Sequence, residues 1–408
     1  MKTEPSPPAV WTQILAGSLL MLATLPGRTH GLGLITEPLL ADLSLSRHAY
    51  AQINTWATLL GAAACLPVGA WLDRLGLRIG ALVLLPALAA VVGLMTLLPA
   101  QGGDRVVWAL FAFVLLTRAL GQSALSVLSL AVAGRAFKQG AGMAAGMYSL
   151  LVSVFFAASF VMVGNVVSQS GWRHGWVVIA MGLVCMLPVA LWLRGGTDAS
   201  AAETGTDDDF TLAQCLRIPA FWAYTAGIAA FAAVTSGVSL FNEAVLAERG
   251  FDRQTYQQFQ GASFMIALLG QIVCGAGMRW LSIRYWLGGA LLLQAGGLAA
   301  YSHIQTPVHL WSLAAVSGVA AGIIMVAFYA IWSDAFGKRH LGRIQGAAQT
   351  GSVVASALGP LLLERGMVWL GGYANALLFA APVSVLVGLL ILFLKPPARK
   401  RINPAARQ

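Results

Sequence analysis

Charged side chains are scarce: Asp, Glu, Lys and Arg make up only 10% of the 408 residues, against about 25% in a typical soluble domain. That composition excludes an ordinary soluble globular fold. Cysteine is rarer still. Cys65, Cys185, Cys215 and Cys274 stand singly, three of them inside apolar stretches, so they offer neither a disulfide framework nor metal-ligand spacing and read as small packing residues. The six histidines are dispersed. There is thus no ligand cluster and no nucleophile beside a base, and neither an enzyme nor a metal or other cofactor is expected. A GxxxxGK[ST] loop to cradle phosphates is also missing, which excludes ATP-driven work by this chain alone.

What the chain has in abundance is apolar length. It is 58% hydrophobic with a mean hydropathy of +0.76. A bilayer-spanning helix needs about 20 mostly apolar residues. Polar turns cut the sequence into twelve such stretches, at 12–39, 50–72, 79–99, 106–134, 140–168, 174–194, 220–246, 257–280, 284–303, 309–336, 343–370 and 373–395. The first follows a short basic start like a secretory signal, but it is too long for one.

The chain also repeats itself. Residues 31–52, GLGLITEPLLADLSLSRHAYAQ, align without a gap on residues 237–258, GVSLFNEAVLAERGFDRQTYQQ. The alignment pairs Gly31 with Gly237, Glu37 with Glu243, Arg47 with Arg253 and Tyr50 with Tyr256. Two similar hydrophobic halves are the construction of alternating-access carriers, in which one half rocks against the other around a central site. The expected fold is therefore an all-α membrane protein, twelve transmembrane helices in two pseudo-symmetric six-helix bundles. The bundles are placed at 1–194 and 220–408. A linker at 195–219 joins them, rich in Gly, Ala, Ser, Thr and Asp, and its end, FTLAQCLRIPAFW, reads as a short amphipathic helix on the membrane surface.

The net charge of +10 would suggest nucleic acid in a soluble protein. Here cytoplasmic Lys and Arg account for it. With the N-terminus inside, Arg74, Arg78, Arg135, Lys138, Arg217, Arg279, Arg284, Lys338, Arg339 and Arg343 all fall on the cytoplasmic side. The other side holds only Arg47, Arg105, Arg173, Arg249, Arg253 and Arg365. The expectation is a multi-pass protein of a bacterial inner membrane, both termini cytoplasmic, working as a monomer with lipid, a small-molecule substrate and protons as its partners and no nucleic acid.

The stretch GAWLDRLGLR at 69–78 resembles the loop signature between the second and third helices of the major facilitator superfamily. The resemblance implies a cytoplasmic latch made by Gly69, Asp73, Arg74, Gly76 and Arg78. Leu77 replaces a usual basic residue, and the matching place in the second half has Arg279 where Asp73 stands. Arg118, Gly121 and Gln122 resemble the superfamily's buried-arginine motif. Within the superfamily, GRAFKQGAGMAAG at 134–146 and SDAFGKRHLGRIQGAAQTGSVVASALGPLL at 333–362 look like the branch of monocarboxylate and oxalate/formate carriers. That branch places an Asp and an Arg in the eighth helix, where LLGQIVCGAGM has neither.

Charge inside hydrocarbon costs roughly 2.5–3.5 kcal/mol for Arg on insertion scales, so an intramembrane guanidinium needs a partner or a cavity. Arg28 and Arg118 both fall near mid-membrane. The resemblance implies that the first and fourth helices line the central pathway, and a planar guanidinium suits a carboxylate. Arg28 either binds backbone carbonyls or a helix end in its own half or contacts substrate, and the second is favoured because PGRTHGLG at 26–33 loosens its helix and could expose backbone groups to a cavity. Arg118 has two readings, substrate contact or structural coupling. His30 and Glu37, seven residues apart, share a helical face and form either a proton relay or a core histidine beside an outer-gate acid. Glu243 repeats Glu37. Regular helix geometry keeps Arg28 and His30 apart unless the stretch unwinds. Gln122, Asn54, Tyr148, Gln271, Tyr329, Trp332 and Gln349 complete the expected pathway. The reading is a carrier of a small, monocarboxylate-like anion, coupled to protons. An exporter of drugs or other small metabolites and a non-transporting membrane sensor are the alternatives.

Overall fold

The structure, a computed structural model, describes residues 7–63, 75–100, 103–137, 141–193, 210–337 and 341–394. Among these residues there is no β-strand. The first span is not one rod. It runs as helix Pro7–Leu22, a 3-10 turn Leu25–Gly27, and short helices Thr29–Gly33 and Thr36–Leu43. The second span is Arg47–Ala63 and the third Leu77–Met95. The fourth joins Gly103–Thr117, a π-helical segment Arg118–Leu125, and Ser126–Phe137. The fifth is Ala141–Ser170, and the sixth Trp172–Cys185 continued by Val189–Trp192.

In the second half the seventh to twelfth spans are Pro219–Ala247, Arg253–Gly277, Ile283–Ala300, Pro307–Phe336, Leu341–Leu370 and Tyr373–Phe393. Nine of the described helices are long and apolar enough to cross a membrane as they stand. The interrupted first span, Arg47–Ala63 and Ile283–Ala300 bring the set to the expected twelve.

Local chemistry sets several boundaries. Thr211 and Gln214 form a capping box that starts the single turn Leu212–Cys215 within the expected surface helix. Asp252 opens the eighth span by accepting the Thr255 amide at 2.9 Å, and the Thr255 hydroxyl together with that amide holds its exposed carboxyl below the usual range. Burial pushes the Cys215 thiol up to about 11, which fits a packing residue rather than a reactive one. Residues 195–209 of the expected linker, and Gly69, Asp73 and Arg74 of the expected latch, lie outside the described residues. Of the latch, Gly76 caps the third span at φ +82 and Arg78 is exposed.

The burial pattern is that of a protein dissolved in lipid. Phe393 is 81% exposed and Trp108 70%, while Arg118 is 1%. Large apolar faces of this kind match hydrocarbon and not water. Inside the halves the first span packs on the fourth and the seventh on the eleventh. Between the halves the fifth packs on the eighth and the second on the eleventh. These two seams are pseudo-symmetry mates, since adding six to the fifth and subtracting six from the eighth exchanges them.

Candidate functional site

The site starts at the break in the first span. Gly27 lets the chain press against the fourth span, where a Cβ would stand 2.2 Å from the Thr117 carbonyl oxygen. Arg28 then turns extended, at φ −96 and ψ 150. Its Nε donates to Thr24 Oγ1 at 2.7 Å, and its Nη2 donates to Ser126 Oγ at 3.0 Å and approaches Met21 Sδ at 2.8 Å. The guanidinium carbon lies 5.9 Å from the centroid of Phe156. The side chain is half-buried.

Unwinding also brings His30 to the same place. Its ring centroid is 5.5 Å from that of Phe156, 5.9 Å from Phe160 and 5.4 Å from Phe264. Phe156 and Phe160 come from the fifth span and Phe264 from the eighth, so this aromatic group straddles the seam between the halves. Arg28 and His30, held apart by a regular helix, both meet Phe156 because the helix is not regular there. The shared face expected for His30 and Glu37 is not found. The first span breaks again at Leu34 and Ile35, leaving His30 among aromatic rings while Glu37 bonds elsewhere.

Arg118 is fully enclosed. Its Nη1 donates to the Gly27 carbonyl at 2.9 Å and to Gln122 Oε1 at 2.7 Å, and its Nη2 donates to Thr29 Oγ1 at 3.1 Å and to Asn54 Oδ1. All four acceptors are neutral, and among the described residues Arg118 makes no ion pair. Its Nε has no partner. The group ties the broken first span to the second and fourth, and the π-helical segment that carries it is a feature frequent at functional sites.

The other expected pathway residues divide. Gln122 is half-buried and Asn54 buried, both bonded to Arg118. Gln271 is half-buried on the eighth span and Gln349 exposed on the eleventh. Tyr148 is 8% exposed and its hydroxyl meets Ser129 at 2.9 Å, between the fifth and fourth spans. Trp332 is fully buried between Phe221 and Phe336 with centroids at 5.6 and 6.3 Å. Both are filled in by their own bundle's packing. The Tyr329 side chain lies outside the described set.

The turns of the repeat gather, among the described residues, three ion pairs and a histidine–carboxyl contact. Glu37 is bound by Arg47 through both oxygens, and Glu243 by Arg253 at 2.7 Å. Arg173 pairs with Asp42. His48 Nδ1 meets Glu364 Oε2 at 2.7 Å and His48 Nε2 meets Arg365 Nη2 at 3.0 Å, which joins the second span to the eleventh. These four pairs are all at one end of the molecule, here termed the junction end, and the opposite end, carrying the linker, the linker end. Thr55 Oγ1 donates to the Ala357 carbonyl at 2.8 Å, Gln257 Nε2 to the Gly164 carbonyl at 2.7 Å and Ser236 Oγ to Thr29 Oγ1 at 3.4 Å. Among the described residues, hydrogen bonds between the halves thus run from the level of Thr29 to the junction end.

The sequence matches the major facilitator superfamily over residues 18–360 and 283–408. The chain belongs to that superfamily. It is a multi-pass membrane transporter and not an enzyme. No curated protein matches it. Among solved structures it is similar to a bacterial homologue of the human lysosomal transporter Spinster, in an inward-facing and unoccupied conformation, with a TM-score of 0.70, 16% identity, and 95% of this chain and 96% of that one covered. It is also similar to the nucleoside transporter NupG, with a TM-score of 0.73, 14% identity, and 94% and 99% covered. At such identities the likeness is one of fold.

The sequence reading missed Phe156, Phe160, Phe264, Ser126, Asp42, His48 and Glu364. The phenylalanines carry no signal that separates them from core residues. The His48 and Glu364 pair spans 316 positions, which no local pattern reveals.

Proposed function

We propose that this transporter moves a small organic anion of the monocarboxylate kind by alternating access, coupled to protons, with its termini and the linker end cytoplasmic. The observation that carries the reading is Arg28: a half-buried guanidinium set at a break in the first span, beside Phe156 and one aromatic layer from Phe264 of the other half. A backbone interruption at membrane depth is tolerated where it lines a cavity or is buried in protein, and this one sits at the seam that rocking must open. Arg118 supports the reading indirectly. Its charge is held by neutral acceptors alone, so it adds positive potential near Arg28 and acts as a brace.

The acids argue in the same direction. Glu37, Asp42, Glu243 and Glu364 are engaged at the junction end, which suits a gate and leaves the described centre basic. An exporter of cationic compounds needs the opposite arrangement. The fold relatives bear names as unlike as a nucleoside carrier and a Spinster homologue, so substrate chemistry is argued from Arg28.

The test is uptake of a panel of monocarboxylates into vesicles holding the purified chain. Arg28→Gln is expected to abolish uptake while the protein stays monodisperse, and Arg28→Lys to restore only part of it, because an ammonium is a point charge without the planar fork. A protonophore is expected to collapse accumulation. Undiminished uptake by Arg28→Gln removes Arg28 from the site.

A further inference from the structure

The two copies of the repeat close the same contact, a glutamate ten residues before an arginine, bonded across the turn that joins two spans. They close it differently. Glu37 engages both oxygens, Arg47 Nε donating to Oε1 at 3.0 Å and Nη2 to Oε2 at 2.6 Å. Glu243 has one bond, from Arg253 Nε to Oε1, and its Oε2 is buried without a hydrogen-bond partner. The Glu243 side chain is also the more enclosed, 13% exposed against 20% for Glu37.

From this broken symmetry we propose that Glu243, and not Glu37, is the carboxylate that binds the transported proton. The proposal rests on the reading of the chain as a proton-coupled carrier. An ionised carboxylate with one oxygen stripped of both water and partner carries an uncompensated desolvation cost, and a proton on that oxygen removes it. A proton on Glu37 would instead break a bidentate, charge-assisted pair.

The surroundings agree. Arg253 and the Tyr256 phenol from the eighth span, Glu37 from the first and Arg47 from the second face Glu243. Glu248, further along its own helix, turns away to accept the Tyr373 amide at 2.7 Å. Two acids and two guanidinium groups sum to zero. When Oε2 takes up a proton, an O–H bond forms, the carboxylate charge is lost and Arg253 is left holding a neutral group, which loosens the turn where the halves meet. When the proton leaves, the pair is restored. One proton carried with one monocarboxylate moves no net charge.

Infrared difference spectra between acid and alkaline pH, taken on the full chain in liposomes, test this without any substrate. The wild type is expected to show a protonated-carboxyl band that Glu243→Gln abolishes and Glu37→Gln retains. Glu243→Asp is expected to shift the band, and that shift decides the matter if the Gln variant does not fold. A band that survives in Glu243→Gln, one that responds only to Glu37→Gln, or no band in the wild type overturns the assignment. In the vesicle assay, Glu243→Gln is expected to keep exchange of substrate for substrate and lose proton-driven accumulation. Should the band follow Glu243 in a protein that carries no monocarboxylate, the anion reading fails and the proton site stands.

Discussion

Arg118 shows what a single buried charge does when its partners are neutral. Four acceptors from three spans converge on it, so its removal leaves the Gly27 carbonyl and Asn54 Oδ1 without this donor in a closed interior, while Thr29 keeps only its long bond from Ser236. Each buried group so orphaned costs about 1–3 kcal/mol. Arg118→Gln is therefore expected to lower the unfolding temperature in detergent far more than Asn54→Ala, which removes a single acceptor. Arg118→Lys falls with the Gln variant, since one ammonium cannot span the set. Thermal unfolding followed by tryptophan fluorescence checks the order. A variant as stable as wild type would show that these bonds contribute nothing net. The sequence made Arg118 conspicuous, because a guanidinium in an apolar run always is. It left two roles open, because they differ only in whether the group reaches a cleft, and that depends on the neighbouring spans.

At the scale of the element, the interrupted first span is the feature on which the site depends. Pro26, Gly27, Gly31 and Gly33 announced a loosened helix, and the sequence placed Arg28 within it. What periodicity could not supply was the direction of each piece after the break, so His30 and Glu37 were set on one face that does not exist. The same short pieces let the first and seventh spans touch. A Cβ on Gly33 would stand 2.1 Å from the Ser239 carbonyl oxygen of the other half, and backbone on both sides offers no flexible end to yield. Gly33→Ala is accordingly expected to part the halves at the junction end. Spin labels on Ser46→Cys and Met367→Cys, which flank a cavity of about 480 Å³ at that end, are expected to report a longer distance in the variant. An unchanged distance would mean that the spans slide to absorb the methyl group.

The whole molecule was legible as far as its repeat reaches: twelve spans, two halves and a glutamate and an arginine recurring at each equivalent turn. The contacts between the halves were not, since they join residues from 93 to 317 positions apart. His48 is the clearest of them. It stands between Arg365, which can only donate, and Glu364, which when ionised can only accept. Its two ring nitrogens meet one each, and the side chain so acts as a clasp between the second and eleventh spans. Removing either function unfastens it without altering the interior of a bundle. Glu364→Gln and His48→Phe are each expected to shift the population toward states open at the junction end, and the double variant to shift it no further than the larger single, because both break one chain of bonds. The distance between spin labels on Ser46→Cys and Met367→Cys measures this as a longer separation. If the single variants keep the wild-type distance, the seam is held by Thr55, Gln257 and Ser236, and the clasp is of no consequence for closure.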